Sequence, residues 1–158
     1  MPTTPALEGG CACGEVRYRL TSAPMFIHCC HCLNCQRQTG SAFVINQLIE
    51  ASRVERLSGT SVGIAVPREN GEHVIFRCPK CQTAVWSEYS GRSQVLFVRG
   101  GTLDEPSKVT PDVHIYTRSK LPWITLPAGV PSFEAFYPDA KTLWPTEALE
   151  RRKALFGK

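Results

Sequence analysis

Seven of the eight cysteines fall into three short-spaced groups. They are Cys11-Ala12-Cys13, Cys30-His31-Cys32-Leu33-Asn34-Cys35 and Cys78-Pro79-Lys80-Cys81, with Cys29 left over beside the second. Short-spaced thiols are the donors zinc prefers, and they divide unevenly here. The two outer pairs together supply four, a complete tetrahedral set. The central group supplies three and leaves one position that the chain need not fill. Closed four-donor zinc sites are usually structural, and three-donor sites with an open position are usually catalytic. The count therefore points to one scaffold metal and one working metal.

The spacings suit convergence. In an extended segment residues i and i+2 face the same side, so Cys11 and Cys13 present their sulfurs together. Cys78 and Cys81 flank Pro79-Lys80, a turn of zinc-knuckle length. Zinc–sulfur bonds of about 2.3 Å set sulfurs roughly 3.8 Å apart, within reach of both spacings. Cys30 and Cys32 align by strand parity, and Cys32 and Cys35 by helical i, i+3 spacing. A disulfide framework is the competing use of eight cysteines, but it needs partners spread across the fold rather than adjacent pairs. Two separate half-sites, or a redox-active Cys78/Cys81 pair, would also use these spacings. A thioredoxin-like motif needs a βαβ context, which the pattern lacks.

Cys29 faces away from Cys30 by parity, which suits a buried supporting thiol better than a ligand. His28 shares parity with Cys30 and is a candidate for the fourth position at rest. His31 points the other way and reads as a packed or supporting residue. His73 and His114 sit in strand patterns with no chemical signal of their own.

The elements that must hold these groups are mostly strands. Glu15 to Leu20 alternates, with Val16, Tyr18 and Leu20 on one face. Phe43 to Ile49, Val62 to Val66, His73 to Arg77, Ala84 to Ser87, Val95 to Arg99 and Val113 to Tyr116 read as short strands. Asn70-Gly71, between two apolar runs, predicts a hairpin turn. Cys32 to Thr39 predicts a short helix ended by Gly40, and Thr146 to Phe156 a second one capped by Thr146. The prolines after residue 105 predict extended coil. The sum is an all-β chain of packed small sheets with a short C-terminal helix.

At 158 residues, 42% hydrophobic and 20% charged, the chain predicts a single domain, 1–158, able to bury a core. No apolar run approaches the ~20 residues that span a bilayer. Met1-Pro2-Thr3-Thr4-Pro5 has neither a basic start nor an apolar stretch. We therefore expect no signal peptide, a cytoplasmic location and reduced thiols. The formal charge of +4 falls close to neutral once seven thiolates and two divalent ions are counted, so no nucleic-acid partner is expected. Arg151-Arg152-Lys153 reads as a solvated helix face.

Taken in order, Gly10-Cys11-Ala12-Cys13-Gly14-Glu15-Val16-Arg17-Tyr18 and Cys30-His31-Cys32-Leu33-Asn34-Cys35-Gln36-Arg37-Gln38-Thr39-Gly40-Ser41-Ala42-Phe43 resemble the glutathione-dependent formaldehyde-activating enzymes. That superfamily also contains centromere protein V. Leu57-Ser58-Gly59, Phe76 to Cys81, Pro111 to Tyr116 and Ser119-Lys120-Leu121-Pro122-Trp123 extend the likeness over about residues 9–137, leaving 138–158 as a C-terminal extension. The resemblance implies a β-tent of small antiparallel sheets with two zinc ions. It implies that Cys11, Cys13, Cys78 and Cys81 hold the structural ion and that Cys30, Cys32 and Cys35 hold the catalytic one. It further implies a carbon–sulfur lyase of the S-(hydroxymethyl)glutathione synthase type, joining a glutathione-like thiol to a small aldehyde. Two positions depart from the pattern. Gln82 stands where glycine is usual, which predicts an altered turn. Gln36 stands where a basic residue is common, beside Arg37, the residue we expect to contact an anionic thiol. A non-catalytic zinc module for macromolecular binding, its central metal closed by His28 or Cys29, is the rival function, and a thiol redox protein is a third.

Overall fold

The computed structural model describes residues 5–69 and 71–157. Asn70, in the expected hairpin turn, and Met1 to Thr4, at the expected leaderless start, lie outside the described residues. The chain runs β1 (Leu7–Gly10), β2 (Arg17–Leu20), β3 (Phe26–Cys30), α1 (Leu33–Thr39), β4 (Val44–Glu50), β5 (Val54–Ser58), β6 (Val62–Val66), β7 (His73–Arg77), β8 (Ala84–Tyr89), β9 (Val95–Arg99), β10 (Val113–Ile115) and α2 (Thr146–Phe156). The strands lie in two sheets, and the two helices are short, as the all-β reading anticipates. No helix among the described residues is long and apolar enough to cross a membrane. The residues divide into two compact units, Met1–Pro24 with Gln47–Lys108, and Met25–Asn46 with Val109–Lys158, the boundary falling inside β4.

The first unit is antiparallel throughout. β1 pairs with β2, and β2 with β5. Alternation along β2 buries Val16, Tyr18 and Leu20, as predicted, while Arg17 and Arg19 turn outward to Asp104, Glu8 and Glu55. Burying an aliphatic side chain such as Leu20 contributes roughly 1.5–3 kcal/mol. An exposed ion pair contributes about 0–1 kcal/mol. The inward face therefore holds this strand. Tyr18 packs edge-on against Trp86 at 5.9 Å, and its hydroxyl meets Thr102 Oγ1 at 2.7 Å. That hydroxyl lies over Gly9, where a Cβ would come within 2.6 Å of it, so glycine is required there. β6, β7, β8 and β9 pair in sequence as an antiparallel meander, its core formed by Ile75, Val85, Trp86, Leu96 and Val98.

The second unit departs from the antiparallel expectation. β3 is buried along its whole length and pairs in parallel with β10, setting Val113 against His28, His114 against Cys29 and Ile115 against Cys30. His31 N continues the pairing by donating to Ile115 O. The proline-rich stretch then returns along the far side of β10. His114 N donates to Pro131 O and Phe133 N to His114 O, so His114 is fixed from both sides. Phe26 stacks on Trp144 at 5.0 Å and meets Tyr137 edge-on at 6.0 Å, which anchors the C-terminal segment. α2 begins as expected, but Thr146 is its first residue and not its cap. Pro145 takes the cap position without a side-chain hydrogen bond.

Candidate metal centres

In the first unit Cys11 sits in a tight turn after β1. Its N–H donates to Val16 O, its carbonyl accepts from Gly14 N, and its sulfur accepts from Val16 N at 3.2 Å. Cys78 opens a second turn, donating to Thr83 O and accepting from Gln82 N. The two turns bring Cys11, Cys13, Cys78 and Cys81 together, with all four sulfurs within 4.8 Å of one another. Cys11 and Cys13 sulfurs lie 3.6 Å apart, and Cys13 and Cys78 sulfurs 3.8 Å. These match the ~3.8 Å edge of a tetrahedral zinc–thiolate set and far exceed a disulfide bond. All eight cysteines are free. The Thr83 hydroxyl, 3.1 Å from Cys81, with the Thr83 N–H, lowers that thiol to about 5, so one sulfur is ready as thiolate.

Gln82 does not alter the turn as expected. Its φ of +66° is the left-handed conformation that glycine would adopt, and its own carboxamide reaches back to Pro79 O at 3.1 Å. The substitution changes the residue and keeps the backbone, at a conformational cost of about 1 kcal/mol.

In the second unit Cys30 ends β3, Cys32 caps α1 and Cys35 lies one turn in. The Cys32 sulfur accepts from Cys35 N at 3.2 Å, and Cys35 and Cys30 sulfurs are 3.5 Å apart. Gly40 closes the helix at φ +63°, as predicted. The three sulfurs again lie within 4.8 Å of each other, with Cys30 and Cys35 buried and Cys32 partly exposed. Hydrogen bonds from Cys30 and Cys35, reinforced by the Cys35 and Asn34 N–H groups, draw the Cys32 thiol down to about 2, while the same bonds and burial drive Cys30 upward. The cluster thus favours a thiolate at its one accessible sulfur. The donor set and its spacing fit a zinc-class ion.

His28 is not the fourth donor. Its Nε2 lies 2.9 Å from the Tyr137 hydroxyl, which also receives the Trp144 indole N–H at 3.0 Å. The indole donates to the phenol, and the His28 tautomer sets the direction of the bond between the phenol and His28. Burial holds His28 at about 4, neutral and structural. Cys29 is buried, as expected, and burial then the nearby Cys35 push its thiol up to about 12. Gln36 is a strut: its amide donates to His31 O at 2.9 Å and Ser119 O at 3.0 Å. Arg37 is exposed on α1, two residues past Cys35.

One residue escaped the pattern altogether. His114 Nδ1 lies 3.0 Å from His31 Nε2, which is 3.6 Å from Cys29 Sγ. The signal was present only as Pro111 to Tyr116 lying among the family-like motifs. The parallel pairing that delivers His114 to Cys29 leaves no local trace.

None of the curated proteins matches the chain. Among solved structures, a Rhodobacter sphaeroides protein is 18% identical, over 66% of this chain and 91% of that one, with a TM-score of 0.48. A sequence model described as glutathione-dependent formaldehyde-activating enzyme matches residues 6–119, which takes in all three cysteine groups and stops short of Leu121-Pro122-Trp123. With that much of its length matched and its thiols so grouped, the chain belongs to the glutathione-dependent formaldehyde-activating enzyme family.

Proposed function

We propose that this protein is a zinc-dependent carbon–sulfur enzyme that adds a glutathione-like thiol to a small aldehyde, with formaldehyde the substrate its family name suggests. The observation that carries the reading is the three-cysteine set: three converging sulfurs, no fourth protein donor grouped with them among the described residues, and exposure only at Cys32. Cys30, Cys32 and Cys35 hold the working ion. Cys11, Cys13, Cys78 and Cys81 hold the structural one. Zinc bound by three thiolates carries a net negative charge and supplies stabilisation of an incoming thiol as its anion.

The chemistry balances without an oxidant. The thiol sulfur forms a bond to the carbonyl carbon, the C=O π pair moves to oxygen, and the thiol proton ends on that oxygen as an S-hydroxyalkyl adduct. In reverse the same bond breaks. Cys30 and Cys35, buried, set the position of the site, and Cys32 marks its accessible side. Gln36 keeps the following helix tied to Ser119. Arg37 supplies the anion contact for a carboxylate of the thiol.

The non-catalytic module has less support, because of its two proposed closing ligands His28 is engaged with Tyr137, and Cys29 groups with His31 and His114 and not with the three cysteines. Titration calorimetry of glutathione into zinc-loaded protein tests the reading. Binding that vanishes in Cys32→Ser supports it; absence of heat in the unaltered protein overturns it. Arg37→Ala should weaken binding several-fold, in a salt-sensitive way, corresponding to about 1 kcal/mol. An unchanged affinity would remove Arg37 from the site.

A further inference from the structure

We infer that Cys29, His31 and His114 form a third metal site, separate from both cysteine clusters, for a divalent ion of the zinc class. All three are buried, at 1%, 0% and 7% exposure, and their donor atoms lie within 4.8 Å of one another. Zinc–nitrogen bonds of about 2.0–2.1 Å and zinc–sulfur bonds of about 2.3 Å place tetrahedral donors about 3.3 Å apart for two nitrogens and about 3.6 Å for nitrogen and sulfur. The observed separations are 3.0 Å for His31 Nε2 to His114 Nδ1 and 3.6 Å for Cys29 Sγ to His31 Nε2. A few tenths of an ångström complete the fit.

Hydrogen bonding does not account for this convergence. An imidazole nitrogen offers one N–H or one lone pair, so His31 Nε2 can serve Cys29 or His114 but not both. The other nitrogen, His31 Nδ1, is buried without a hydrogen-bond partner. A cation accepts all three lone pairs at once. Backbone geometry holds the donors in place without it. Cys29 and His31 are i, i+2 neighbours, opposite in parity to Cys30 and Cys32, and β10 sets His114 directly beside Cys29 in register. Charge agrees as well. One thiolate and two neutral imidazoles around a divalent ion leave one positive charge, and three thiolates around another leave one negative charge. The two sets, which adjoin at Cys29 and Cys30 of β3, therefore compensate each other.

A mixed nitrogen and sulfur set binds cobalt(II) in zinc's place, less tightly but with visible bands, which gives a spectroscopic probe. Protein loaded with zinc is offered excess cobalt(II), desalted, and its zinc plus cobalt counted. Three ions per chain are expected for the unaltered protein. His114→Ala should retain two, and should lose the visible cobalt band of a tetrahedral centre with a single thiolate. A total of two in the unaltered protein, or three in His114→Ala, overturns the site. If that variant does not fold, X-ray absorption on cobalt in the unaltered protein decides. Two imidazole nitrogens with one sulfur support the site, and an all-sulfur shell overturns it. Failure of the thiol–aldehyde reading appears separately, through Cys32→Ser and glutathione.

Discussion

The four-cysteine and three-cysteine centres are built from different local structure. The first joins two turns far apart in the chain, each made rigid by backbone hydrogen bonds around Cys11 and Cys78. It supplies every donor a tetrahedral ion needs. The second is assembled within six residues, from the last residue of a buried strand and the first turn of a helix, and stops at three donors. Distant turns make a clamp, in which an ion would reinforce a junction that the Ala12 N–H already makes with the Thr83 hydroxyl at 3.1 Å. A local strand–helix corner makes a platform, whose proposed ion would have no distant segments to join. On the proposed assignment, cofactor role follows how far apart in sequence the ligands lie.

The largest expected effect separates the two centres directly. Cys78→Ser should remove most of the folding energy of the proposed structural ion, on the order of 10–16 kcal/mol where structural zinc has been weighed in small domains. It should therefore melt far below the unaltered protein. Cys32→Ser should melt close to it while losing thiol binding. Equal losses of melting temperature in the two variants would end the distinction.

Acid should act mainly on the second unit, which holds His28, His31 and His114, three of the four histidines. Burial keeps His28 and His31 at about 4, against an ordinary value of 6.5. Above pH 6.5 they are neutral folded or unfolded and do not affect the balance. Between about 6.5 and 4 the unfolded chain binds protons that the folded one refuses, so stability falls as pH falls. His28, which the proposed third site does not engage, costs about 2 kcal/mol at pH 5 relative to pH 7. Urea unfolding of His28→Asn at both pH values, with zinc counted in parallel, should recover about that amount. An unchanged pH difference would show that His28 does not titrate as its burial requires.

The smallest effect compares the two left-handed turns. Gly40 at φ +63° and Gln82 at φ +66° share one conformation. Gly40→Ala meets no atom within 4 Å, so its cost is conformational, about 1 kcal/mol. Gln82→Gly should gain up to about 1 kcal/mol in the four-cysteine turn. Thermal unfolding measures both. A loss on Gln82→Gly would mean that its bond to Pro79 outweighs the strain.

Much of this was legible in the residue order. β6, β7, β9 and α2 fall at the predicted bounds, because alternation and turn residues mark them. Both cysteine sets converge as their spacing implied. β1, β3 and β5 were missed for physical reasons. β1 is half glycine, β5 is mostly exposed, and β3 is buried on both faces and so carries no alternation. His114 was illegible because its meaning depends on a parallel partner eighty-odd positions away. Gln36 and Gln82, read as losses, turned out to be a strut and a retained turn.

The parallel pairing of β3 with β10 also orders events during synthesis. Cys30, Cys32 and Cys35 leave the ribosome almost together, and closing so short a loop costs little entropy. The four-thiol clamp must wait for Cys78 and Cys81, and β3 for its parallel partner near residue 114. Metal capture at the three-thiol corner can therefore precede the rest of the fold, and the nascent chain would carry its working ion before it has a core to protect it.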